Sequence, residues 1–337
     1  MIDIDFESLR NIGLTQAIAC QLHSIDQGAL VRVTQVHRDS VVVHDGVREH
    51  PARIAHHSDL AVGDWVVMNS DGRIDARLDP LTQLTRRAAD GRRQALASNV
   101  DTALLVMGLD HDFNPRRMER YLALVHAAGV APVVVLTKAD IGIDVAQRIE
   151  QLQQRFPASV PVFAVDALGP EPAQVLAPWL APSQTLILLG SSGAGKSTLT
   201  NTLTGGRQAT GGVRGDDSRG RHTTTARSLH RCPGGACIID TPGLRALRLD
   251  TDEEQLEAAF DDIEALARDC QFRDCAHEAE PGCAVRGAVD EDRLRNYHKL
   301  LREVRRTQQT PLERIADRAR WKVLIRSVAA KDRIKRQ

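Results

Sequence analysis

The chain has 337 residues, 42% of them apolar and only 3% aromatic, with 44 Lys+Arg against 44 Asp+Glu. That length suggests two or three domains, and the apolar content excludes a disordered protein. No apolar run reaches about 18 residues, which excludes a transmembrane helix. The acidic start, Met1–Glu7, is no secretory signal, so a cytoplasmic protein without membrane contact is expected. Few aromatics also exclude a nucleic-acid surface built mainly on stacked rings. Six cysteines in a chain this long are metal ligands or core residues, not a disulfide framework.

Residues 1–25 read as one or two amphipathic helical turns without a motif. From Ala29 the pattern changes. Ala29–Val33 and Ser40–Val43 are β-branched runs, and Asp45-Gly46 signals a hairpin. Arg53-Ile54 and Asp64–Met68 continue the series, with Asp71-Gly72 as a further turn. Short strands at this spacing predict a small barrel, an OB-fold in topology, with or without a ligand. Residues 1–84 carry 7 Arg and a larger number of Asp/Glu, so RNA binding here needs local patches. Arg86-Arg87 to Arg92-Arg93 is a candidate patch. Cys20 reads as a core residue.

After residue 95 strands alternate with helices. The pattern predicts strands at 101–109, Ala131–Leu136, Val160–Val165, Thr185–Leu189 and Ala236–Ile239. It predicts helices at Pro115–Ala128, Asp144–Phe156 and Ser197–Leu203. That rhythm argues for a mostly parallel sheet covered on both faces. Cys232 and Cys237 read as strand residues, with pairing across a hairpin as the alternative. The zero net charge hides an asymmetry. Residues 250–292 hold 15 Asp/Glu against 3 Arg, and residues 291–337 hold 15 Lys/Arg against 6 Asp/Glu. A basic tail after an acidic block is either a polyanion contact or a solvated helix face.

Gly190-Ser191-Ser192-Gly193-Ala194-Gly195-Lys196-Ser197 fits G-x-x-x-x-G-K-[ST], between a predicted strand and a predicted helix that continues with Thr198. Its glycines let successive backbone N–H groups turn around phosphate oxygens, and the helix N-terminus adds its dipole. Lys196 would reach the β- and γ-phosphates, and Ser197 would bind Mg²⁺. Asp240-Thr241-Pro242-Gly243 follows a strand, which suits Asp240 to hold Mg²⁺ through water and the Gly243 N–H to sense the γ-phosphate. Thr137-Lys138-Ala139-Asp140 ends another strand. The Asp140 carboxylate can accept from both N1–H and the exocyclic amine of guanine, and the Lys138 stem can cover the base. Asp166-Ala167 would add a backbone N–H near the guanine O6.

The order of these motifs is permuted: base reader first, P-loop second, metal Asp last. Between P-loop and Asp240 lies a polar, glycine-rich stretch ending Gly220-Arg221-His222-Thr223-Thr224-Thr225, which suits a switch loop. Thr224 is favoured to complete the Mg²⁺ shell, with Thr223 open. After Gly243 comes Leu244, which cannot orient a water molecule. His222 is the nearest polar candidate for that catalytic role, or a loop histidine with no part in it. Cys270-x4-Cys275-x-His277-x5-Cys283 supplies three thiolates and an imidazole, a saturated set that predicts structural zinc.

Taken together, TKAD, GSSGAGKS, GRHTTT, DTPG and the C-x4-C-x-H-x5-C run resemble the RsgA (YjeQ) family of circularly permuted GTPases, from about residue 27 onward. The resemblance implies an α/β protein with a 1–26 extension and an OB-fold RNA-binding domain at 27–84. It further implies a permuted GTPase domain at 85–248 and a zinc-binding helical domain with a basic tail at 249–337. It implies GTP hydrolysis to GDP by a monomer. It also implies binding to the small ribosomal subunit and its rRNA late in maturation, with hydrolysis coupled to release. Thr137 stands where the family carries Asn, which predicts a weaker tether to the P-loop, and Asp166 stands where Ser is usual.

Overall fold

The structure, a computed structural model, describes residues 5–25, 27–37, 40–54, 59–87, 92–206, 227–241 and 249–308. Two short helices open the chain, α1 (Phe6–Arg10) and α2 (Gln16–Ala19), followed by a 3₁₀ turn at Cys20–Ser24. Ile12, Leu14, Ile18 and Leu22 of this segment point into the main core. Cys20 faces outward and is exposed, which corrects its reading as core.

Five strands follow: β1 (Ala29–Val36), β2 (Val41–His44), β3 (Glu49–Ala52), β4 (Trp65–Met68) and β5 (Ile74–Arg77). β1 pairs with both β2 and β4, β2 with β3, and β4 with β5. A parallel bridge, Arg53 to Arg73, joins the ends. This is the five-stranded, partly open barrel of an OB-fold, filled by Val31, Val33, Val41, Val43, Ala52 and Val66. Arg53-Ile54 is not the third strand. Asp45 Oδ1 accepts from Val47 N and Arg48 N, each at 2.8 Å. The turn therefore closes early and pairing resumes at Glu49.

Arg32 sits among the barrel valines, yet it is fully buried. Its guanidinium donates to Ile12 O (2.5 Å), Thr185 Oγ1 (2.9 Å), Asn99 O (3.1 Å) and Gly63 O (3.3 Å). One cation thereby pins the N-terminal segment, the barrel and the following sheet together. Gly13, at φ +91°, is required beside it, because a Cβ there would lie 1.9 Å from Arg32 Nη1.

A hairpin comes next, β6 (Gln83–Arg87) and β7 (Arg93–Ser98). Two arginines of the basic stretch are engaged within the chain, although Arg93 stays 68% exposed. Arg87 and Arg93 both pair with buried Asp250, at 2.8 and 2.6 Å, and Thr85 Oγ1 adds a bond at 2.8 Å.

The remaining strands and helices alternate: β8 (Thr102–Gly108), α3 (Pro115–Ala127), β9 (Ala131–Thr137), α4 (Val145–Gln153), β10 (Val162–Ala164) and α5 (Glu171–Val175). β11 (Thr185–Leu189), α6 (Lys196–Thr204), β12 (Ser228–Arg231) and β13 (Cys237–Asp240) complete the sheet. Its order is β10-β9-β8-β11-β13-β12. The first five are parallel, and β12 is an antiparallel addition that touches β1 at the pair Gln35–Ser228. The C-terminal part carries α7 (Glu253–Ala258), α8 (Asp261–Ala267) and the long α9 (Glu291–Gln308).

Buried charges lock α9 onto α3. Glu119, 1% exposed, accepts from Arg293 (3.1 Å), Arg155 (3.3 Å) and Asn296 (2.5 Å). Arg120 grips Glu303 through both oxygens. Among the described residues no helix is long and apolar enough to cross a membrane.

Candidate nucleotide cleft and metal centre

Parallel strands all deliver their C-terminal ends to one edge of the sheet, which is where ligands of open α/β sheets bind. Here that edge carries Thr137 at the end of β9, Asp166 beyond β10, Gly190 after β11 and Asp240 at the end of β13. The motifs are scattered over a hundred residues of sequence but share this edge.

The P-loop enters α6 through two left-handed glycines, Gly193 (φ +85°) and Gly195 (φ +88°), the second being the helix N-cap. Ser192 and Gly193 are exposed, while Ala194 packs into the core beneath them. Ser197 and Thr198, in the first turn of α6, are half-buried. Lys196 is buried, its Nζ donating to Gly190 O (3.0 Å) and Ser191 O (2.8 Å). Burial lowers its pKa, against the opposing charges of Asp240 and Asp112. Ser197 Oγ lies 3.5 Å from Asp240 Oδ2, and Asp240 Oδ1 is buried without a hydrogen-bond partner. Burial raises the Asp240 pKa, although Lys196 and His230 pull it down. An orphaned carboxylate oxygen beside a hydroxyl suits a hard cation with oxygen ligands.

This strain has a measurable consequence. A carboxyl whose folded pKa lies above its unfolded value gives its full stability below the unfolded pKa and loses it as pH rises through the folded one. Ionised Asp240 therefore destabilises the nucleotide-free protein at neutral pH. Asp240→Asn is expected to raise its Tm at pH 7 by a few degrees, since ~1 kcal/mol is worth about 2–4 °C in a unit of about 150–250 residues. The same substitution should weaken Mg²⁺-dependent GTP binding. Calorimetry without nucleotide checks the first part, and an unchanged or lower Tm would contradict it.

Thr137 is fully buried, and its Oγ1 donates to Ala194 O at 2.7 Å. A Cβ added at Gly195 would meet that hydroxyl at 2.9 Å. The Thr137 tether to the P-loop is thus one short hydrogen bond, in a contact that leaves no room for a side chain at position 195. Lys138 adopts φ +62°, and Ala139 N donates to Val165 O at 3.3 Å, joining the turns that follow β9 and β10. Asp140 is exposed on the same edge. Asp166 turns back on itself, accepting from Leu168 N at 2.9 Å, and Ala167 O accepts from Thr202 of α6 at 2.6 Å. His222, Thr223, Thr224, Gly243 and Leu244 lie outside the described residues.

In the C-terminal part, Cys270, Cys275, His277 and Cys283 bring their ligand atoms within 4.8 Å of one another. His277 Nδ1 is 3.7 Å from Cys270 Sγ and 3.5 Å from Cys283 Sγ, and those two sulfurs are 4.0 Å apart. Zn–S of about 2.3 Å and Zn–N of about 2.0–2.1 Å give tetrahedral edges of about 3.8 and 3.5–3.6 Å. The cluster fits a closed zinc site. Backbone N–H groups of Ala284 and Arg286 already point at Cys270 and Cys283 Sγ, and Glu280 caps the loop through Ala276, Glu278 and Ala279 N.

The sequence profile of the RsgA GTPase family matches residues 78–250, just over half of the chain. The chain belongs to that family. A "Small ribosomal subunit biogenesis GTPase RsgA" of Xylella fastidiosa (strain M23) is 49% identical over 304 residues, covering 85% of this chain and 90% of that one. Another, of Xanthomonas axonopodis pv. citri (strain 306), is 45% identical over 326 residues, covering 91% and 89%. In fold, the chain resembles the crystal structure of YjeQ from Thermotoga maritima, with a TM-score of 0.63 at 24% identity over 82% of this chain and 99% of that one. The circularly permuted GTPase YloQ gives 0.59 at 22% identity, over 86% and 99%. Membership of the RsgA family accounts for the permuted order of the motifs on the sheet.

Two cleft residues escaped the reading of the sequence. Asp110 and Asp112 follow β8, the strand between β11 and β9. Their only signal is position, acids at the C-terminal end of a central parallel strand.

Proposed function

We propose that this chain is a GTP hydrolase of small-subunit biogenesis that binds Mg²⁺·GTP in the cleft described above and docks through rRNA. The observation that carries the reading is the convergence of Thr137–Asp140, Gly190–Ser197 and Asp240 on one edge of the sheet. Asp140 reads the base, with Lys138 over it and the Asp166–Ala167 turn beside it. The backbone of Gly190–Ser197 wraps the phosphates, with Lys196 as their counter-charge. Bound Mg²⁺ neutralises phosphate charge, and Ser197, Asp240 and Thr224 would hold it. Gly243 senses the γ-phosphate.

On this reading the OB-fold at 27–84 and the zinc-bearing 249–337 region flank a GTPase domain at 85–248. The chain works as a cytoplasmic monomer and leaves the subunit as GDP forms. A GTP-gated RNA-binding scaffold with incidental hydrolysis is the second reading, and Leu244 favours it by removing the usual water-orienting group.

Single-turnover hydrolysis with and without small subunits separates the two. The enzyme reading expects low activity alone and about 10²-fold stimulation, which needs only roughly 2.7 kcal/mol of transition-state stabilisation. His222→Ala should keep GTP binding and lose the stimulation. Higher salt should weaken stimulation, because phosphate contacts release counterions. Equal stimulation of both proteins removes His222 from the reaction, and absence of any stimulation favours the scaffold.

A further inference from the structure

We propose that Asp110 and Asp112, the two carboxylates of the β8–α3 loop, are positioning residues that brace the base-reading and phosphate-binding loops into one frame. The proposal rests on the guanine-site reading and extends it to residues that touch neither motif in sequence.

Asp110 Oδ2 accepts from Lys138 Nζ at 2.6 Å, and both side chains remain about one-fifth exposed at the cleft. Both oxygens of Asp112 lie 2.6 Å from Ser191 Oγ of the P-loop. The two acids are tied to each other, because Asp112 N donates to Asp110 Oδ1 at 3.0 Å. The loop itself is pinned. Leu109 N donates to Thr137 O at 2.9 Å, Gly108 N reaches Asp112 Oδ2 at 3.4 Å, and Arg117 of α3 pairs with Asp112. Thr137 to Ala194 closes the third side. The circuit therefore runs from base motif to brace, from brace to P-loop, and back.

Geometry makes this more than packing. Lys138 holds a left-handed backbone that a non-glycine residue adopts only when its surroundings impose it. Its long side chain has much rotamer freedom to lose on covering a base. A carboxylate that holds the ammonium beforehand removes part of that loss, so ligand affinity rises through preorganisation. The charge state agrees. Burial pushes the Asp110 carboxyl up, but the Lys138 hydrogen bond, the Asp112 N–H and the Lys138 charge outweigh it, leaving it below the usual carboxylate range. Asp110 is thus ionised and paired at neutral pH.

The test is a pair of double-mutant cycles on the full chain, read by equilibrium binding of fluorescent GDP and by steady-state hydrolysis. Asp110→Asn should weaken GDP and GTP alike by about 10-fold, the low end for a hydrogen bond between charged groups. It should leave kcat at saturating GTP unchanged. In a Lys138→Ala background it should have no further effect, and Asp110→Glu should restore most of the affinity. Asp112→Ala should likewise lose its effect in a Ser191→Ala background. Asp110→Asn with wild-type affinity, or with a loss that adds in full to that of Lys138→Ala, overturns the brace. Wild-type GDP affinity in Lys138→Ala alone overturns the guanine-site reading beneath it.

Discussion

Asp140→Asn is expected to abolish the preference for GTP and to leave the protein folded. Guanine presents two donors on this edge, N1–H and the exocyclic amine, and a carboxylate accepts from both. An amide offers one acceptor and one donor, so one guanine donor would face another donor. Sites built on such hydrogen bonds reject a mismatched partner by roughly 10⁴-fold, because the unpaired group is left desolvated. Xanthine carries a carbonyl where guanine carries the amine and should become the better ligand. Asp140 is exposed, so the isosteric change removes no core contact and Tm should hold. Competition among GTP, XTP and ATP against one labelled nucleotide measures the switch. Unchanged selectivity for GTP would falsify the base-reading role of this motif.

The cleft was legible because its parts carry local signals. Thr185–Leu189 is an unbroken apolar run that becomes a strand buried on both faces, β11, with its predicted bounds. α3 follows from Met118, Tyr121, Leu122 and Val125, spaced to bury one face. Capping is local too: Asn114 accepts from Arg117 N, and Pro115 takes the first helical position.

What stayed hidden depends on distant partners. β12, Ser-Leu-His-Arg, has a single buried apolar residue and exists because β13 offers it an edge. The Arg86–Arg93 stretch reads as a candidate basic patch, and nothing in it announces that Asp250, far along the chain, pairs with two of its arginines. The burial of Arg32 has no local signal, because its four acceptors come from four separate segments. Asp110 and Asp112 fall in the same class, since each derives its meaning from a loop that only the sheet brings near.

Removing the metal should separate the two ends of the molecule. Elemental analysis of the purified protein is expected to give about one zinc per chain, as a closed Cys₃His set requires. The knuckle between Cys270 and Cys283 has little apolar content of its own. Phe272 is 42% exposed, and only Cys270, Cys283 and the following Val285 reach the core. Without a cation, three thiols and an imidazole within 4.8 Å of one another are gathered only by a few loop hydrogen bonds. Structural zinc binding is worth about 10–16 kcal/mol in small fingers and serves directly as folding energy. Cys275→Ala should therefore unfold 270–290 locally and loosen α9, whose Tyr297 and His298 line one cavity with Phe272 and Cys275. GTP binding should survive, because Thr137 and Asp240 end strands β9 and β13 and Lys196 opens α6, none of them part of the knuckle. Limited proteolysis with and without chelator, alongside GDP affinity, measures both parts. A metal-free protein whose C-terminal part resists protease as before would remove zinc from the fold.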